Sequence, residues 1–230
     1  MANLTETTQS VPSAIASRRA FAGAIVKPVV FAVLLALATM AGRIPIPGTP
    51  VPITLQTFVV MVAALTMSWR QAGAAIALYL AAGAAGLPVF SGGASTAALL
   101  GPSAGFLIGF LPAAVVTALL KGSARRTAAS ADLLRGAAHA SGLSSDGSVA
   151  DDCTADSRAV RTILTALRYF AAAVIGCIVL DYLFGFTVQS AITGMPFGAV
   201  ALASMGFVAG DLVKAAVASL AIAGAATLRR

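Results

Sequence analysis

Charge is what this sequence has least of. Only 10% of its 230 residues are charged, against about 25% in an ordinary soluble domain. From Gln71 to Leu120 there is no Asp, Glu, Lys or Arg at all. Histidine occurs once and cysteine twice. Each shortage excludes something. Low charge with 59% hydrophobic content excludes a disordered chain. It also argues against a soluble domain, whose core does not require so much apolar sequence. His139 lies in a polar segment, so no buried histidine-based catalytic or metal site is available. Cys153, in the same polar segment, and Cys177, in an apolar run, form no CxxC and no metal-ligand spacing. They read as an incidental loop thiol and a packed thiol. No GxxxxGK[ST] occurs, so the chain does not hydrolyse ATP through a P-loop. No catalytic residue, metal or cofactor is expected.

What is present is long apolar runs. A bilayer core takes about 20 apolar residues per helix, so an all-α integral membrane protein is expected. Residues 1–24 read as an N-terminal tail rather than a signal peptide, because no convincing cleavage site precedes the first long run. Six spans follow: about Ile25–Ala41, Ile53–Trp69, Ala72–Leu87, Gly105–Leu120, Thr162–Phe186, and a last one from about Val208. Residues 25–120 thus hold four spans and 162–230 two. The apolar region from Phe197 to Leu228 is too long for one straight span, so a short surface or re-entrant helix is expected before the last. RIPIPGTPVP, 43–52, has four prolines in ten residues and cannot be helix interior. Residues 121–161, rich in Ala, Ser, Gly and Asp, read as a flexible loop. Asp146, Asp151, Asp152 and Asp156 within it suit a solvated linker better than a metal site, since no calcium-loop spacing is present.

The net charge is +7. No basic cluster is interleaved with aromatics as stacking on bases requires, so nucleic acid is not an expected partner. Sorted by connection, the cations alternate. Arg18, Arg19 and Lys27 precede or open the first span, Arg70 follows the second, and Lys121, Arg125, Arg126, Arg135, Arg158 and Arg161 follow the fourth. Arg229 and Arg230 end the chain, while Arg43 stands alone on the other face. The positive-inside rule then predicts both termini, and the 121–161 loop, in the cytoplasm of a multi-pass plasma-membrane protein.

Few charges remain inside the spans, and an intramembrane ionisable residue is a functional hypothesis by default. Asp211 and Lys214, in GDLVK, are three apart and so share a helix face. An acceptor beside a cationic donor suits a ureido or amide group plus a carboxylate; the plainer alternative is a structural ion pair. Asp181 lies near the outer end of the fifth span, and with Tyr182 beside it an interfacial place is the stronger expectation. The proline-rich loop and LPVFSGG, 87–93, fall on the same outer face. Irregular backbone near membrane depth lines cavities, so a pocket with a proline-rich lid, a glycine loop, an aromatic wall and a charged pair is expected. Ala32 and Ala36 make a small-xxx-small face in the first span. Asp181 and Asp211 as an aspartyl enzyme pair is disfavoured: Val208 stands where a GxGD motif has its first glycine, and Lys214 opposes a shared proton. An ion-coupled carrier of a small carboxylate, with Asp211 and Lys214 as its relay, is the other rival.

IPIPGTPVPITLQTF (44–58), LYLAAGAAGLPVFSGG (78–93), GPSAGFLIGF (101–110) and GDLVK (210–214) together closely resemble the BioY family, biotin-binding S components of energy-coupling factor transporters. The resemblance covers about residues 25–120 and 162–228. It implies six helices, a high-affinity biotin pocket, no enzymatic activity, and partnership with a membrane-coupling subunit and two ATP-binding subunits. It implies that Asp211 and Lys214 contact biotin, Asp211 at the ureido N–H groups and Lys214 at either the carboxylate or the ureido oxygen. Ser95, after Gly92 and Gly93, is the expected polar loop contact, with Phe90 and Tyr79 as apolar walls. Ala32 and Ala36 are expected to dock on the coupling subunit. GFVAGD, 206–211, departs from the family's proline-rich approach to that aspartate.

Overall fold

The computed structural model describes the backbone over residues 14–45, 51–122 and 150–228, and side chains over 25–45, 51–122 and 159–226. His139, Cys153 and the Asp146, Asp151, Asp152 and Asp156 group lie outside the described side chains. Among the described residues the chain is almost entirely helical. The helices are α1 (Ala14–Met40), α2 (Gln56–Thr66), α3 (Trp69–Ala84), α4 (Ala104–Leu120), α5 (Ala150–Ala173), α6 (Asp181–Thr193), α7 (Phe197–Ala203) and α8 (Met205–Leu228). A π-helical turn, Val174–Leu180, joins α5 to α6. Two helical stretches, Ala159–Thr193 and Met205–Ala226, are long and apolar enough to cross a bilayer.

The outer faces of the helices are apolar. Val26, Val33 and Leu37 on α1, Ile163 and Leu167 on α5, and Val213, Val217 and Leu220 on α8 are all exposed. Helices that are apolar on their exposed as well as their buried sides belong in lipid. On α1 the buried stripe is Pro28, Leu35 and Thr39, with Ala32 and Ala36 half-buried on its flanks. That spacing is the helical period.

The centre of the bundle is α4, whose buried residues run from Ala104 to Ala118. Glycines set how closely its neighbour approaches. A Cβ at Gly105 would fall 2.5 Å from the Phe184 carbonyl oxygen, and one at Gly109 would fall 2.6 Å from Asp181 Oδ1. From the other side, a Cβ at Gly185 would fall 2.3 Å from the Phe106 ring. Where the helix changes to π register, Thr117 of α4 donates to the Ala172 carbonyl at 3.2 Å and meets Cys177 Sγ at 3.3 Å.

The sequence places helix starts too late at two points. Backbone helix begins at Ala14, inside the stretch read as a tail, and at Ala150, inside the segment read as a flexible loop. Both stretches are rich in alanine, the strongest helix former. The proline-rich connection forms a two-residue antiparallel ribbon, β1 (Arg43–Ile44) with β2 (Ile53–Thr54), pairing Arg43 with Thr54. The expected short helix before the last span is α7, and Ser204 separates it from α8.

Candidate functional site

A cavity of about 370 Å³ opens between the ribbon, α2, α4, α6, α8 and the α3–α4 connection. That is within the usual range for a small-molecule pocket. Its walls are mostly apolar, with Phe90, Phe106, Phe110, Tyr182 and Phe207 as the aromatic lining. Phe106 meets Tyr182, Phe186 and Phe207 edge-on, with ring centroids 6.1, 5.9 and 6.4 Å apart. Phe90 and Phe110 extend this lining.

One polar cluster sits in that apolar wall. Lys214 Nζ lies 2.9 Å from Asp211 Oδ1, the one ion pair among the described residues. Their i, i+3 spacing on α8 puts them side by side. Thr57 of α2 donates to Asp211 Oδ1 at 2.8 Å, and Tyr182 of α6 donates to Oδ2 at 2.6 Å. Lys214 spends its three donors on Asp211, on Thr57 Oγ1 at 3.0 Å and on the Thr54 carbonyl at 2.7 Å. Buried charge persists only when it is paired and hydrogen-bonded, and here four elements converge to do so. The cluster therefore ties α8 to α2, α6 and the ribbon while facing the cavity.

The α3–α4 connection supplies another wall. Phe90 lies over Gly83, where a Cβ would fall 2.1 Å from its ring, and meets Tyr79 edge-on at 5.2 Å. Tyr79 stands behind the lining: its hydroxyl donates to the Val89 carbonyl at 3.1 Å, accepts from Gln56 Nε2 at 3.0 Å and meets Thr39 Oγ1 at 3.2 Å. Gly92 and Gly93 take φ of 74° and 75°, a left-handed pair that only glycine adopts readily.

Of the residues singled out from sequence, Asp211, Lys214, Phe90 and Asp181 line the cavity. Tyr79 buttresses Phe90. Gly92, Gly93 and Ser95 belong to the same connection but are not on the lining, whereas Ser91 and Ala94 are. The Ser91 hydroxyl is buried without a hydrogen-bond partner. Ala32 and Ala36 lie on α1, away from the cavity. Asp181 and Tyr182 are packed inside the protein: Asp181 is 0% exposed, with both carboxyl oxygens unpartnered, and Tyr182 is 7% exposed. The reason is local. They open α6, the helix drawn against α4 by its glycines, so their positions face inward. Gln56, Thr57 and Phe106 stand in the quoted motifs, but like Tyr182 and Phe207 they carry no charge or spacing that marks them individually as site residues.

Fold and cavity together define a helical membrane protein with a small-molecule pocket. The chain belongs to the BioY family, whose family profile matches residues 9–230. A biotin transporter BioY of Rhizobium etli is 33% identical over 197 residues, 85% of this chain and 89% of the relative. A probable biotin transporter BioY of Bacillus subtilis is 29% identical over 192 residues, covering 82% and 83%. The crystal structure of the S-component for biotin from an ECF-type ABC transporter is similar in fold, with a TM-score of 0.66 at 17% identity over 89% of this chain and 91% of that one.

Proposed function

We propose that this chain is a biotin-binding S component that takes up biotin with an energy-coupling factor module. The observation that carries this is a polar cluster centred on Asp211 and Lys214 in a mostly apolar cavity, within a chain of the BioY family. Biotin offers a ureido head with two N–H donors and a carbonyl, an apolar ring body, and a carboxylate tail. Asp211 accepts from the ureido N–H groups, Phe90, Phe106 and Phe207 pack on the rings, and Tyr79 holds Phe90 in place. Gly92 and Gly93 give the loop its close approach.

The membrane arrangement in this proposal is six spans in the plasma membrane with both termini cytoplasmic, supported by the sorting of cations along the sequence. Biotin enters from outside, the proline-rich ribbon closes over it, and the subunit rocks to release it inward. The energy comes from two ATP-binding subunits through a membrane-coupling subunit, which docks on the Ala32 and Ala36 face of α1. Residues 121–161 act as a cytoplasmic connection between helices 25–120 and 162–230. The activity is transport, not catalysis: Lys214 at 2.9 Å from Asp211 opposes the shared proton an aspartyl pair requires. Mass spectrometry of the small molecule that co-purifies with the full chain tests the proposal. Biotin is the expected result; a different small acid in its place contradicts it.

A further inference from the structure

We infer that Arg43, not Lys214, holds the ligand's carboxylate, and that it makes the pocket selective for the free acid over its amides and esters. This rests on the biotin reading above and divides the work of that site.

Lys214 has no donor to spare. Its ammonium carries three N–H bonds, and three acceptors already take them: the Thr54 carbonyl, Thr57 Oγ1 and Asp211 Oδ1. Its charge is also matched by Asp211. A carboxylate placed on Lys214 would break that cluster and sit beside a second carboxylate.

Arg43 differs in each respect. It lines the same cavity from the ribbon and is exposed. Its guanidinium has neither a hydrogen bond nor an ion pair among the described residues. Of the eight acidic residues in the sequence, six fall in the N-terminal stretch or in 121–161. The remaining two are Asp211, already paired, and Asp181, which is fully buried. Residues 46–50, outside the described ones, contain no acid.

The side chain is also positioned. A Cβ at Gly92 would fall 2.3 Å from Arg43 Nη1. The guanidinium therefore rests on the bare backbone of the glycine loop, at the residue after Ser91, which also lines the cavity. Arg43 pairs with Thr54 across the ribbon, and Thr54 accepts from Lys214. The free cation thus stands on the ribbon strand beside the one that anchors the paired cation. The two lie on one cavity, so a ligand with a neutral polar head and an anionic tail can meet both. A guanidinium presents paired donors that match a carboxylate. An amide or ester tail offers it neither the charge nor the second acceptor of equal strength.

The test measures binding of biotin and of biotinamide to the purified full chain, to Arg43→Ala and Arg43→Gln, and to Lys214→Ala. In the wild-type protein biotin is expected to bind about tenfold more tightly than the amide, a difference of about 1.4 kcal/mol. Both Arg43 variants are expected to bring biotin down to the amide's affinity and to leave the amide within about twofold. The biotin preference should also shrink as salt is raised. Lys214→Ala should weaken both ligands alike. An unchanged preference in the Arg43 variants, loss of both ligands in them, or a preference that disappears with Lys214→Ala instead, each overturns the assignment. Wild-type protein that binds both ligands equally overturns it too and leaves the biotin reading standing; wild-type protein that binds neither overturns both.

Discussion

At the residue scale the site is a carboxylate held by three donors from three elements. Asp211 Oδ1 accepts from Thr57 and Lys214, and Oδ2 accepts from Tyr182 alone. A hydrogen bond to a charged group contributes about 1.5–3 kcal/mol. Tyr182→Phe leaves Oδ2 without its partner while keeping the ring among Phe106 and Phe186. We expect ligand affinity to fall about tenfold in that variant, with little change in expression, when measured by labelled-ligand binding. The Asp211–Lys214 pairing was legible in the sequence because two charges three apart in an apolar run are rare. Thr57 and Tyr182 were not legible as their partners, because proximity across 154 and 29 residues of chain leaves no local trace.

At the scale of elements, glycine decides how tightly α4 meets the α5–α6 helix. A methyl group on Gly105 would meet backbone, the Phe184 carbonyl oxygen and Gly185 Cα, within 3.0 Å. Backbone cannot turn aside as a side chain can, so overpacking here should cost about 1–3 kcal/mol. Gly105→Ala is expected to lower the melting temperature in detergent, whereas Gly224→Ala, with open space around it, should leave it unchanged or slightly raised. The Gly105–Gly109 spacing stands openly in GPSAGFLIGF, yet only the contact with Phe184 and Asp181 distinguishes it from ordinary glycine abundance.

A second element-scale device lies at the end of α4. The half-buried Lys121 donates to the Ala64 carbonyl at 2.7 Å and to that of Met67, closing the C-terminal end of α2. Burial pushes its ammonium down to about 8, while the helix-end carbonyls favour the charged form. Below pH 8 both folded and unfolded chains carry the proton. Between about 8 and 10.5 the folded chain sheds it first, so stability should rise with pH across that window. A melting temperature that rises from pH 8 to 10, and rises less in Lys121→Met, is the expected result.

At the scale of the whole molecule, the shortage of charge anticipated the architecture better than any motif did. Long apolar runs identified helices α2, α3, α4 and the start of α8 to within a few residues. They failed where alanine-rich polar sequence continued a helix, at Ala14 and Ala150, since helix propensity extends beyond the apolar run. They also did not anticipate the π turn at Val174–Leu180, which sets the inward face that Asp181 and Tyr182 share. The cavity is a tertiary object: residues 43, 57, 90, 106, 182 and 211 meet there only because the bundle closes.

We propose the Asp211–Lys214 cluster as the ligand-binding centre of a biotin transporter subunit. Equilibrium binding of labelled biotin to the purified full chain, beside Asp211→Asn and Lys214→Ala, tests it most directly. Removing one partner of a buried charged pair typically costs 3–5 kcal/mol where it leaves the other charge uncompensated. We therefore expect saturable, high-affinity binding to the wild-type chain and a loss of about a hundredfold or more in both variants. Wild-type affinity in both variants would contradict the account.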